Sequence, residues 1–302
     1  MSGAIAARVS DELTKPVDPH VAAMAAAIAG RYGTAARAVL FYGSCLRERQ
    51  LDGLMLDFYL IVSDYDTAYD RTWLAWANSV IPPNVFPFSQ GELSSKYAVL
   101  SEVDFMRLCG QGADNVSVWA RFSQPSRLVW SSDDAAAQRA ITAIAQAGPT
   151  LLRLAQPLVG VSSRGDWRAL FEQGFAETYR AELRAERRGK STSIVDSDPD
   201  FYRDMFDAAV ADRIIDPASV PGETARIAAE RAWGRLRRRG KRLSVLRLVK
   251  ASFTFAGGID YLAWKINRHA GTSIKISPWQ RRHPLIAAML LLPRLLRSRA
   301  VG

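Results

Sequence analysis

The run LMLDFYLIV, residues 54–62, constrains this chain more than any other stretch. It is too short to span a bilayer and is rich in aliphatic and aromatic side chains, so it reads as a buried β-strand. Its single acid, Asp57, is costly there unless it is paired or bound to a metal. A second run of the same kind, RAVLFY (37–42), precedes it and ends on Gly43-Ser44. KYAVLS (96–101) and RLVW (127–130) read as further strands, and YDRTWLAWANSV and VDFMRLCGQG between them have helical spacing. With an Ala-rich helix over 20–31 that closes at Gly30 and Gly33, the N-terminal half is expected to be a mixed sheet domain.

After residue 133 the pattern changes to helices. DDAAAQRAITAIAQA reads as one, broken at Gly148-Pro149, and 165–186 as another. KSTSIVDSDPD (190–200) reads as a polar loop. Two more helices, 222–239 and 244–269, are expected to stop at Gly240 and Gly271. The last segment holds a wholly apolar run, Leu285 to Leu292, with arginines on both sides, which suits a helix lying in a membrane interface. The expected class is therefore α+β: a sheet domain over 1–132, a helical domain over 133–276 that serves the lipid and phosphate side, and a basic amphipathic surface helix over 277–302.

Charge is unevenly placed. From residue 225 onward 18 lysines and arginines face two acids, Glu230 and Asp260, so this part carries +16 of a chain whose total is +10 and the rest carries −6. A polyanionic partner for the C-terminal third follows. Lipid suits LIAAMLLLPRLL better than nucleic acid does. Two cysteines, Cys45 and Cys109, support no disulfide framework and point to a reducing compartment. Acids early in the N-terminus argue against a secretory or transit signal. The three histidines have no ligand spacing.

The opening stretch carries the chemistry. A strand ending in Gly-Ser, a turn, and a second strand with an acid thirteen residues after the serine form the layout of a nucleotidyltransferase fold. Gly43 lets the backbone approach a triphosphate, and Ser44 offers a hydroxyl and an N–H at a helix start. Asp57 is the candidate ligand for Mg²⁺, a hard cation that bridges phosphates and favours in-line transfer. The usual Asp-x-Asp pair would place a second acid at residue 59, where Tyr59 stands. Lys96 and Arg121 are candidates to neutralise triphosphate charge. Arg247 and Lys250 can present two cations on one helix face.

Several motifs in order resemble the mitochondrial-type phosphatidate cytidylyltransferases. YGSCLRE and MLDFYLIV are similar to the family's Tyr-Gly-Ser-Gly-Val and Leu-Asp-Phe elements, which likewise lack the second acid. KYAVLS and ARFSQPSRLVW, then SSRGDWR, then SVLRLVKASFTFAGG are similar to its later segments. Cys45 stands where the family often has glycine. The resemblance implies Mg²⁺-dependent transfer of CMP from CTP to phosphatidic acid on an anionic membrane surface, with release of pyrophosphate. It implies nucleotide binding by Gly43, Ser44, Lys96, Tyr97 and Arg121, and phosphatidate binding by Arg168, Arg247 and Lys250. Asp166 is the candidate second catalytic and metal-binding acid beside Asp57; a plain helix N-terminal acid is the alternative. The expected place is cytoplasmic, peripheral on the inner face of a bacterial plasma membrane. The rival readings are a nucleotidyltransferase acting on a protein, small molecule or RNA, and an inactive peripheral membrane protein with this fold.

Overall fold

The computed structural model of the protein describes residues 3–46, 55–160, 163, 165–182, 194–254 and 277–278. Strands β1 (Ala36–Tyr42), β2 (Met55–Val62), β3 (Asn84–Gln90), β4 (Leu93–Ser101) and β5 (Ser126–Ser131) form one sheet in the order β3-β4-β2-β1-β5. β2 runs parallel to β4, and the other pairings are antiparallel. The helices are α1 (Ala4–Leu13), α2 (Pro19–Gly30), α3 (Tyr65–Ala68), α4 (Thr72–Val80), α5 (Glu102–Cys109), α6 (Trp119–Phe122), α7 (Asp134–Ile144), α8 (Ala147–Ala155), α9 (Trp167–Ala181), α10 (Pro199–Ala211) and α11 (Glu223–Thr254). The class is α+β, as expected. No helix among the described residues is long and apolar enough to cross a membrane.

β2 is central and covered on both faces, which is why it reads as an almost unbroken apolar run. Its even positions, Leu56, Phe58, Leu60 and Val62, pack with Val21, Met24 and Ile28 of α2. Its odd positions, Tyr59 and Ile61, face the other way, into a cluster with Phe105, Trp119, Phe122, Leu151 and Phe171 from the helices. That second cluster runs from Ile5 to Leu236 and so crosses residue 132. One continuous core therefore joins the sheet to the helices.

Five features differ from the sequence reading. The expected polar loop over 190–200 is helical at 194–196, where Ile194 and Val195 are buried, and α10 begins at Pro199. β3 holds Pro87, a residue that argues against a strand, but β3 lies at the sheet edge, where a missing N–H is tolerated. α1 owes its start to a distant residue: the N–H groups of Ala4 and Ile5 donate to the Asp212 carboxylate at 2.9 and 3.0 Å. Gly148-Pro149 does not end a helix. It sits in the first turn of α8, where a proline has no intrahelical hydrogen bond to lose.

Gly240 is likewise no stop, because α11 runs through it. A side chain there would collide with the carbonyl oxygen of Ala181 at the end of α9, so the glycine allows two helices to touch. The expected surface helix over 277–302, apart from Ser277 and Pro278, and the expected stop at Gly271 lie outside the described residues.

Candidate active site

Register decides where the acid lies. Tyr42, the last residue of β1, pairs with Asp57 of β2, and Asp57 pairs with Lys96 of β4. Gly43 follows Tyr42 with φ +94°, a conformation that favours glycine, and turns the chain across the end of the sheet. A Cβ on Gly43 would stand 3.3 Å from Asp57 Oδ2, so the Gly-Ser bend and the acid are in direct contact. Ser44 is exposed at the head of a short 3₁₀ turn, Ser44–Leu46. Cys45 is buried beneath it, and its thiol donates to the Met55 carbonyl at 3.4 Å, tying the bend to the start of β2.

Asp57 points to the helical face of the sheet, as do Tyr59 and Lys96. Lys96 Nζ stands 3.2 Å from Asp57 Oδ1, within ion-pair distance but off hydrogen-bond alignment. That oxygen is buried and has no hydrogen-bond donor among the described residues. A buried carboxylate oxygen without a donor suits a cation that takes oxygen ligands. The described residues contain no cluster of three or more acids, histidines or cysteines that could hold a metal ion unaided. A single carboxylate completed by phosphate oxygens and water is a normal Mg²⁺ environment, so the residues fit that ion.

Beside Tyr59, two residues along β2 from Asp57, the helical layer supplies cations. The rings of Tyr42 and Tyr59 lie 5.2 Å apart, and both pack on Phe122 of α6. Arg121, the residue before Phe122, is half-buried and pairs with Glu182 at 3.1 Å. Burial opposes its charge, but Glu182 and the hydroxyls of Tyr59 and Tyr42 outweigh that and hold its pKa well above the usual value. Burial raises the Tyr59 pKa, and Arg121 and Arg247 pull it part of the way back. Arg247, on α11, therefore reaches the same place. Its Nε donates to the Pro82 carbonyl at 2.8 Å, while its buried Nη2 has no hydrogen-bond partner among the described residues. Burial, above all, lowers the Arg247 pKa. The guanidinium thus keeps a donor to spare.

The structure thus brings together Gly43, Asp57 and Lys96, with Ser44 at the bend, and gathers Arg121 and Arg247 around Tyr59, two residues further along β2 on the same face. Other expected residues lie elsewhere. Tyr97 is adjacent to Lys96 and so points to the opposite face, where it is buried against Tyr32 and Phe86. Asp166 caps α9 by accepting from the Arg168 N–H at 2.9 Å, the plain helix N-terminal role. It lines a cleft with Gln156, Phe206, Ile215 and Pro217, to which no sheet residue contributes. Arg168 pairs with Asp196 and lies over the Trp167 ring.

Lys250 donates to the carbonyls of Ile81 and Pro83 and is buried there. Burial, and then the Arg247 charge, push its amine down to about 7. Its role in view is to hold the 81–83 loop, while Arg247 keeps a nitrogen free. The residues that sequence reasoning missed are Tyr42 and Glu182. The register of the β1–β2 hairpin could have found Tyr42; nothing local marks Glu182. No family model matches the chain, and no curated protein matches it.

Proposed function

We propose that this protein transfers CMP from CTP to phosphatidic acid, giving CDP-diacylglycerol and pyrophosphate, with Mg²⁺ as cofactor at an anionic membrane surface. The observation that carries the reading is the contact of Asp57 with the Gly43 bend on a face that also holds Lys96, Arg121 and Arg247. The motif resemblance narrows the substrate to a lipid phosphate, and the basic C-terminal third agrees with it.

In this reading the Gly43-Ser44 backbone admits the triphosphate closely, and Asp57 contributes a carboxylate oxygen to Mg²⁺. The bound ion supplies charge neutralisation at the phosphates. Lys96, beside Asp57, is assigned to offset the charge that grows on the departing pyrophosphate, with Arg121 behind it at Tyr59. The idle nitrogen of Arg247 can hold the phosphate of phosphatidic acid. One of that phosphate's oxygens attacks the α-phosphorus of CTP, and the bond from that phosphorus to the bridging oxygen of the leaving pyrophosphate breaks. Tyr59 in place of a second acid leaves the cation charge to be balanced mainly by Asp57 and the nucleotide.

The test is a panel of nucleotides and acceptors with purified protein and Mg²⁺. CDP-diacylglycerol from CTP and phosphatidic acid vesicles is the expected product. Consumption of another nucleotide with a soluble acceptor, and no lipid product, would replace this reading by a different nucleotidyltransferase. Absence of any turnover or metal-dependent CTP binding would leave the inactive rival standing.

A further inference from the structure

α4 presents an uncovered apolar stripe. Trp73, Trp76 and Val80 recur at helical spacing and are 42%, 68% and 55% exposed, whereas Ala75, Ala77 and Asn78 on its other side are buried. The helix, TWLAWANSV, has no charge of its own. Just past its end, the carbonyls of Ile81, Pro82 and Pro83 are gripped by Lys250 and Arg247 of α11. α4 and α11 are thereby joined, and Leu246, 47% exposed, stands at the junction.

Along α11, exposed Arg231, Arg235, Arg238 and Arg242 recur at spacings that keep them on one ridge, about 17 Å long. None of the four has a carboxylate at ion-pair distance among the described residues. Arg226, Arg237 and Arg239 do, with Glu223, Glu177 and Asp114.

We propose that Trp73, Trp76 and Val80 seat in the interfacial layer of an anionic lipid bilayer, with the arginine ridge of α11 against its headgroups. This rests on the membrane-substrate reading and assigns the docking surface for it. Tryptophan favours that layer because its apolar body can enter the acyl boundary while its N–H stays hydrated. A ridge of cations without carboxylate partners among the described residues complements anionic headgroups, each arginine adding to the attraction. A single-stranded nucleic acid would need stacking rings interleaved with cations. Here the rings lie on a helix without charge and share their stripe with Val80, which cannot stack.

The experiment is flotation of the full chain with phosphatidylcholine vesicles, with and without phosphatidylglycerol. Wild-type protein should float far better with the anionic lipid. Trp73→Ala/Trp76→Ala should lower the partition coefficient roughly tenfold. Each Arg→Gln on the ridge should lower it about fivefold, and only in anionic vesicles. Trp73→Phe/Trp76→Phe should bind nearly as wild type but lose part of the fluorescence quenching by brominated acyl chains. Unchanged partition in the alanine variant, no dependence on phosphatidylglycerol, or full quenching in the phenylalanine variant would overturn the proposal. So would Trp-dependent retention on RNA without flotation.

Turnover of a water-soluble, short-chain phosphatidic acid should be unaltered in the tryptophan variants. If the wild type also lacks that turnover, the CMP-transfer reading fails while docking is still judged by flotation.

Discussion

Asp57→Asn separates a site acid from a structural one. The Asp57 side chain is 21% exposed, and its ion partner among the described residues, Lys96, is 38% exposed and out of hydrogen-bond alignment. Such a pair stabilises a fold by about 0–1 kcal/mol. The second consideration has the opposite sign. The carboxylate holds a buried oxygen with no donor among the described residues, an unfavourable arrangement that an amide relieves in part. The variant should therefore unfold within about 1 kcal/mol of the wild type in a guanidinium titration. Its chemistry should suffer far more. Losing the anionic ligand removes several kcal/mol of transition-state stabilisation, and about 4 kcal/mol is a thousandfold fall in CDP-diacylglycerol formation. Mg²⁺ dependence of CTP binding, followed by calorimetry, should vanish with it. A loss of about 3 kcal/mol in stability with nucleotide binding intact would refute the reasoning and make Asp57 a structural ion.

Three further outcomes test the surroundings. Gly43→Ala forces a side chain into φ +94° and to 3.3 Å from Asp57 Oδ2, so it should cost about 1–3 kcal/mol in stability and lower nucleotide transfer; a neutral melt with full turnover would show that the bend is not tight. Gly240→Ala gains about 1 kcal/mol of helix propensity but drives a methyl group into the Ala181 carbonyl, and a net loss of about 1–3 kcal/mol is expected; a raised melting temperature would mean that α9 and α11 do not meet so closely. With the Lys250 amine at about 7 in the folded protein and about 10.4 when unfolded, the unfolded chain holds the extra proton between those values. Stability should then rise with pH from about 7 to about 10, by up to about 1.4 kcal/mol per pH unit, and Lys250→Met should flatten that slope in thermal melts; an unchanged slope would show that Lys250 is not buried as described.

Much was legible in the sequence because the signals were local. The apolar run around Asp57 marked β2, since a strand covered on both faces must be apolar at every position but one that has another task. The Gly-Ser bend and the helical half were readable from turn chemistry and periodicity in the same way. Elements whose reasons lie far along the chain were not. α1 begins where Asp212 caps it, β3 carries Pro87 because it is an edge, and Gly240 serves contact with α9.

The candidate site divides along the same line. Sequence alone supplied the acid, the bend and the stock of basic residues, because a buried carboxylate or a surplus of arginines is conspicuous wherever it folds. Tertiary structure alone decided which residues meet. Strand alternation sent Lys96 to the Asp57 face and Tyr97 away from it, and helix packing brought Arg121 and Arg247 to Tyr59. Asp166 went instead to a helix cap. Residue type shows what a side chain can do, but register and packing set its neighbours, and those depend on contacts between segments scores of residues apart.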